Sequence, residues 1–156
     1  MKFLNQVILD LSLENILAVH GRAEDLAQQK EYREQYDFCV SRAVANLATL
    51  SEYCLPFVKK KGYFISYKSE KITEEYEQAK KAIQVLGGNY RNQVEFYLPQ
   101  SDIYRNLFMI EKIDTTPKKY PRKAGLPPRY SLIFSNSSGN NPNSFAVSHI
   151  SSALTG

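Results

Sequence analysis

Short apolar runs alternate with segments of helical period over the first half of this chain, and that alternation constrains its fold more than any other feature. Ile16–His20, closed by Gly21, has the length and composition of a buried strand. Tyr36–Ser41 and Tyr63–Lys68 are two further runs of the same kind. Before and between them lie segments suited to helices. Phe3, Leu4, Val7, Ile8 and Leu11 give residues 2–12 an amphipathic stripe, the charged stretch 24–35 predicts a short helix or loop, and 44–58 predicts a helix with Pro56 near its end. Residues 73–86, with Tyr76, Ala79, Ile83 and Leu86 on one face, predict a longer helix stopped by Gly87-Gly88. Parallel strands need crossovers of this length, so the expected class is α/β with a mainly parallel sheet of about five strands. After Gly88 the pattern changes. Val94–Leu98 and Leu107–Ile110 follow each other with no helix between, which predicts a hairpin and a C-terminal antiparallel strand.

Composition narrows the class further. The chain has 156 residues, with 43% hydrophobic and 23% charged, which suits one globular domain and excludes collagen, coiled coil and wholesale disorder. No apolar run approaches the ~18 residues of a membrane span, and Met1-Lys2-Phe3 opens no signal peptide. The two cysteines, Cys39 and Cys54, have no metal-ligand spacing, and Cys39 reads as core. A cytoplasmic protein with reduced thiols and no metal is expected. The domain is expected to cover 1–129. Residues 130–156 are rich in Ser and Asn and contain no Asp, Glu, Lys or Arg. Their apolar clusters, Leu132–Phe134 and Phe145–Val147, are short, so a flexible tail outside the domain is expected.

The formal charge of +4 is local. Residues 1–114 hold 15 Lys and Arg against 16 Asp and Glu, whereas 115–129 add Lys118, Lys119, Arg122, Lys123 and Arg129 with no acid. Such a Pro-interrupted strip suits phosphates through counterion release, or is a solvated linker.

In an open α/β sheet, ligands bind at the carboxyl ends of parallel strands. The first such end carries His20, Arg22, Glu24 and Asp25, the second Arg42, and the third Lys68 and Glu70; the loop before the last strand adds Asp102 and Arg105. Arginines there can hold carboxylate or phosphate bidentately. Each residue also has a plainer explanation. Glu24 and Asp25 suit the first turn of a helix, Arg42 and Lys68 suit surface ion pairs, and His20 suits a packed strand end. No nucleophile–histidine–acid arrangement stands out.

The segments HGRAEDL (20–26), YDFCVSRAVANLATLSEYCLPFVKKKG (36–62), YKSE (67–70) and KKYPRKAGLP (118–127) together resemble the family of ribosomal RNA small subunit methyltransferase G, also called glucose-inhibited division protein B. The resemblance runs in order from about residue 2 to 127, and SRAVANL and YPRKAGLP are its most specific parts. It implies a Rossmann-like class I fold using S-adenosylmethionine (SAM) to methylate N7 of a guanine in 16S rRNA. It also implies cofactor contacts by Ala23, Glu24 and Arg42, and contacts of Arg22, Lys68 and Arg105 with rRNA or the cleft. The strip Lys118, Lys119, Arg122 and Lys123 is the further candidate for rRNA.

The chain departs from the family at both ends. Met1 enters what matches the helix after the family's second strand, and no G-x-G-x-G occurs, so the expected fold is N-terminally truncated and lacks the Gly-rich cofactor loop. In the complete fold the missing strands lie between 16–20 and 36–41. Their absence is expected to leave two unpaired edges that close on each other or favour self-association. The family's pattern stops at Pro127. The alternatives to an active methyltransferase are a non-catalytic, RNA-binding remnant and an unrelated nucleotide-binding α/β domain.

Overall fold

A computed structural model describes residues 2–42, 45–69, 72–122, 130–135 and 145–150; of 130–135 and of most of 145–150 it describes the backbone alone. The elements run α1 (Lys2–Asp10), β1 (Ile16–Gly21), α2 (Ala23–Leu26), β2 (Tyr36–Arg42), α3 (Leu47–Cys54), a 3₁₀ turn (Leu55–Phe57), β3 (Val58–Lys68), α4 (Thr73–Val85), β4 (Gly88–Tyr97), β5 (Tyr104–Lys112), β6 (Tyr130–Ser135) and β7 (Phe145–Ile150). Through β5 the order follows the apolar periodicity, but β3 and β4 begin five and six residues before the apolar runs at Tyr63 and Val94, and α3 is shorter than the expected 44–58.

The strands form one sheet in the order β1-β6-β7-β2-β3-β5-β4. β7, β2 and β3 pair in parallel, and the remaining neighbours pair antiparallel. Five strands therefore point one way, with β5 and β6 reversed. The sheet is α/β and mixed, because β5 and β6 each insert between strands of the common direction.

The sheet has seven strands where about five are expected. The two additional strands come from the stretch expected to be a flexible tail, and β6 and β7 lie between β1 and β2. β6 pairs with β1 from Ile16↔Ser135 to Gly21↔Tyr130, and β7 pairs with β2 from Phe38↔Phe145 to Arg42↔His149. The physical reason is edge pairing. Two strand edges otherwise carry unsatisfied N–H and C=O groups, and two strands with no Asp, Glu, Lys, Arg or Pro can satisfy both.

α3 and α4 cover one face of β2, β3 and β5. Leu47, Leu50, Leu55, Phe57, Ala79 and Ile83 meet Phe64, Phe108 and Ile110 in a single buried cluster. Asn46 caps α3 by accepting from the Thr49 N–H at 2.9 Å, and Pro56 prevents α3 from continuing beyond one 3₁₀ turn. α4 ends at Gly87, whose φ of +83° and close approach to the Asp114 carbonyl leave no room for a Cβ. Cys39 and Cys54 are both buried in this cluster. Their mutual hydrogen bond and burial push the Cys39 thiol well above its ordinary pKa, which suits core thiols. No helix among the described residues is long and apolar enough to cross a membrane.

Candidate functional site

β1, β2 and β3 point the same way, so their carboxyl ends line one side of the sheet, where the start of β5 joins them. At the first of these ends, Gly21 leads into α2, which carries Ala23 and Glu24 inward. Glu24 is 2% exposed, yet neither carboxylate oxygen receives a hydrogen bond from a described residue. Its one ion pair is a loose 3.6 Å approach of Arg22 Nη2, and Arg22 also reaches Asp25 at 3.4 Å. A buried charge without hydrogen bonds is costly, so this carboxylate is a ready acceptor for a ligand's N–H or O–H.

The second and third ends lie side by side. Ser41 pairs with Ser66, which places Arg42 beside Tyr67. The Arg42 guanidinium lies 5.9 Å from the centre of the Tyr67 ring, and so does that of Arg105. Arg42 is exposed, while Tyr67 and Arg105 are half-buried. Lys68 points to the other face. Its Nζ donates to Glu75 Oε1 at 2.8 Å and to the Ala45 carbonyl at 3.0 Å, and the same Glu75 oxygen accepts the Leu47 N–H. It ties α3 and α4 to the sheet. β6 and β7 separate Glu24 from Arg42 by three interstrand steps of about 4.8 Å each.

The first part of the basic strip is docked. Arg33 donates to the carbonyls of Thr116 (2.8 Å) and Tyr120 (3.1 Å), and Gln28 donates to that of Tyr120 (3.2 Å). Arg122 grips Glu52 with both Nε and Nη2, and its backbone N–H donates to Oε1 of the same carboxylate at 2.7 Å. Burial opposes ionisation of Glu52, but the bonds from Arg122 outweigh it and hold the carboxyl below its ordinary pKa. Lys118 and Lys119 are exposed, with Lys119 Nζ 5.3 Å over the Tyr120 ring. Lys123, Arg129, Ala43 and Glu70 lie outside the described residues.

The structure thus brings Arg42 and Arg105 together, sets Ala23 and Glu24 apart from them, and commits Lys68 and Arg122 to internal acids. Sequence reasoning passed over Tyr67, whose place beside Arg42 follows from the β2–β3 register alone. Among the described residues, no group of three or more His, Cys, Asp or Glu can hold a metal.

Comparison with known proteins places the chain in a family. The family model described as rRNA small subunit methyltransferase G matches residues 1–104. The ribosomal RNA small subunit methyltransferase G of Clostridium tetani is 52% identical over 126 residues, which is 81% of this chain and 53% of that protein. The protein of the same name from Alkaliphilus oremlandii is 54% identical over 127 residues, 81% of this chain and 53% of its own length. Among solved structures, the M1.HpyAVI–SAM complex aligns with 70% of this chain and 62% of its own, at 14% identity and a TM-score of 0.41. The fold is of the α/β class, with one mixed seven-stranded sheet. The chain belongs to the rRNA small subunit methyltransferase G family, and it spans about half the length of the curated relatives it matches.

Proposed function

We propose that this chain carries the C-terminal part of a cytoplasmic 16S rRNA (guanine-N7)-methyltransferase that uses SAM. One observation carries the cofactor half of this reading: the buried Glu24 carboxylate, which accepts no hydrogen bond from the described residues. The exocyclic amine of adenine supplies the N–H hydrogens it needs, with Ala23 packed beside it. Arg42 stands on the border between cofactor and rRNA. Arg22 and Arg105 border the same cleft, and Lys118 and Lys119 extend the basic surface to which rRNA phosphates are drawn. Lys68 and Arg122 support the site through their ion pairs with Glu75 and Glu52.

The chemistry asks little of an acid or base. SAM supplies a methyl group on a cationic sulfonium. Guanine N7 attacks with a lone pair and has no proton to lose, so the protein's task is alignment and electrostatics. Residues that hold the adenosine and the RNA backbone are sufficient machinery for that task.

A second reading, an RNA-binding remnant without catalysis, is favoured by β6 and β7, which hold Glu24 and Arg42 apart. Isothermal titration with SAM separates the two. Micromolar binding supports the methyltransferase reading, and no binding at millimolar concentration supports the remnant. Glu24→Leu gives a sharper result. It removes a buried, unsatisfied charge, so the unliganded chain is expected to gain about 1–4 kcal/mol of stability. SAM affinity is expected to fall about 10–100-fold, as for loss of a hydrogen bond to a charged group. Lower stability in urea unfolding together with unchanged SAM affinity would remove Glu24 from the cofactor site.

A further inference from the structure

The cations around the strand ends divide into those that already have a carboxylate and those that do not. Arg22 faces Glu24 and Asp25, Lys68 faces Glu75, and Arg122 faces Glu52. Arg42 and Arg105 have no carboxylate partner among the described residues. Among the described residues, Arg105 Nη1 donates to the neighbouring Tyr104 carbonyl, at 2.8 Å. Among the described residues, the uncompensated positive charge at this side of the sheet is therefore concentrated on these two guanidiniums.

Their arrangement is set by Tyr67. β3 lies between β2 and β5, with Tyr67 beside Arg42 on one side and opposite Leu107 on the other. Arg105 is two residues from Leu107, on the same face of β5. The three side chains thus form a row across adjacent strands, cation–ring–cation, with each guanidinium 5.9 Å from the ring centre. Two like charges so placed would repel and spread into solvent. A ring with a negative face toward each holds both while keeping them apart.

We propose that Tyr67 is a positioning residue that holds Arg42 and Arg105 as a divided oxyanion clamp, and that the clamp takes backbone phosphates of single-stranded RNA. The inference rests on the rRNA reading above and adds to it the residue that sets the clamp and the group it grips. Guanidinium forks match phosphate oxygens in pairs, and two forks separated by a ring suit successive groups along a strand better than one small anion. The hydroxyl of Tyr67 has no part in this. The ring does the positioning.

The test is fluorescence anisotropy of a labelled single-stranded RNA oligonucleotide with the full chain, repeated over a range of salt. Arg42→Ala and Arg105→Ala are each expected to weaken binding about tenfold and to flatten the log K against log[salt] slope by about 0.7, one phosphate's worth. Tyr67→Leu is expected to weaken binding about fivefold, whereas Tyr67→Phe, which keeps the ring, binds as the parent does. Unchanged melting temperatures show that each variant is folded. Equal losses in Tyr67→Phe and Tyr67→Leu would overturn the ring's role, and unchanged slopes in both arginine variants would overturn the phosphate assignment. A parallel SAM titration separates the sources of the oxyanion. Loss of SAM affinity in Arg105→Ala with an unchanged RNA slope would give the clamp to the cofactor's carboxylate and overturn the proposal. RNA binding that behaves as expected in a chain with no SAM affinity would sustain the clamp while the methyltransferase reading fails.

Discussion

Ending the chain at Arg129 is expected to detach β1 from the sheet and to make the chain self-associate. β1 stands at the end of the strand order, and among the described residues β6 is its one strand neighbour. Removing 130–156 removes all six of its paired positions, Ile16 to Gly21, and leaves β2 with a bare edge from Phe38 to Arg42. α1 cannot compensate, since it contains no buried residue. Backbone amides of 16–21 should lose hydrogen-exchange protection almost completely, because a strand without a ladder opens at essentially no free-energy cost. The exposed β2 edge offers a template for another chain, so sedimentation should show association that grows with concentration. A truncated monomer with 16–21 still protected would show that β1 closes directly onto β2, and that β6 and β7 are dispensable to the sheet.

That hairpin marks where the sequence was hardest to read. β2 and α4 each have a period, a length and a stop signal of their own, so local pattern places them to within a few residues. YSLIFS and FAVSHI are each the length of an ordinary strand. Neither shows the sustained alternation by which a strand is read from sequence. What makes them strands is the pair of edges offered by β1 and β2, more than a hundred residues away in the chain. Charge-free, Ser- and Asn-rich composition pointed the other way and was overridden by that pairing.

The site was legible in part for a similar reason. Strand ends are predictable from strands, so Arg42 and Glu24 could be found. Whether a cation there is free depends on what its neighbours bring. Lys68 looked like a cleft residue until Glu75, seven positions on, was brought to 2.8 Å from it by α4. Arg122 looked like part of an RNA-binding strip, but Glu52 of α3 holds it. Tyr67 gave no signal of its own, since its role comes from flanking arginines on two other strands. Charge counts find candidates; only tertiary pairing says which charges remain available.

Lys112, which no sequence pattern singled out, provides the other large effect. It ends β5 fully buried, and its Nζ donates to the carbonyls of Leu55 (2.7 Å) and Val58 (3.2 Å) and to Thr116 Oγ1 (2.7 Å), with Glu34 Oε1 at 3.2 Å. Thr116 in turn donates to the Leu86 carbonyl and, through its N–H, to Glu34. One ammonium therefore joins the start of β3, the end of α4 and the segment that leads into the basic strip. Lys112→Ala leaves Glu34 without its buried partner and three acceptors without a donor. It is expected to cost about 3–5 kcal/mol, a fall in Tm on the order of 10 °C. Burial outweighs the attraction of Glu34 and pushes the Lys112 pKa down to about 8 from an ordinary 10.5. Between those values the unfolded chain binds more protons than the folded one, so stability contributed by this group rises with pH from about 8 to about 10.5. The full rise is about 3 kcal/mol. Burial pushes the Tyr36 phenol the other way, but that contribution is common to parent and variant and cancels in their difference. Urea midpoints of the parent and of Lys112→Met, taken from pH 7 to 10, should diverge in the parent's favour as pH rises. Parallel pH profiles would show that Lys112 carries no such depressed titration, and that its three bonds are those of an ordinary lysine.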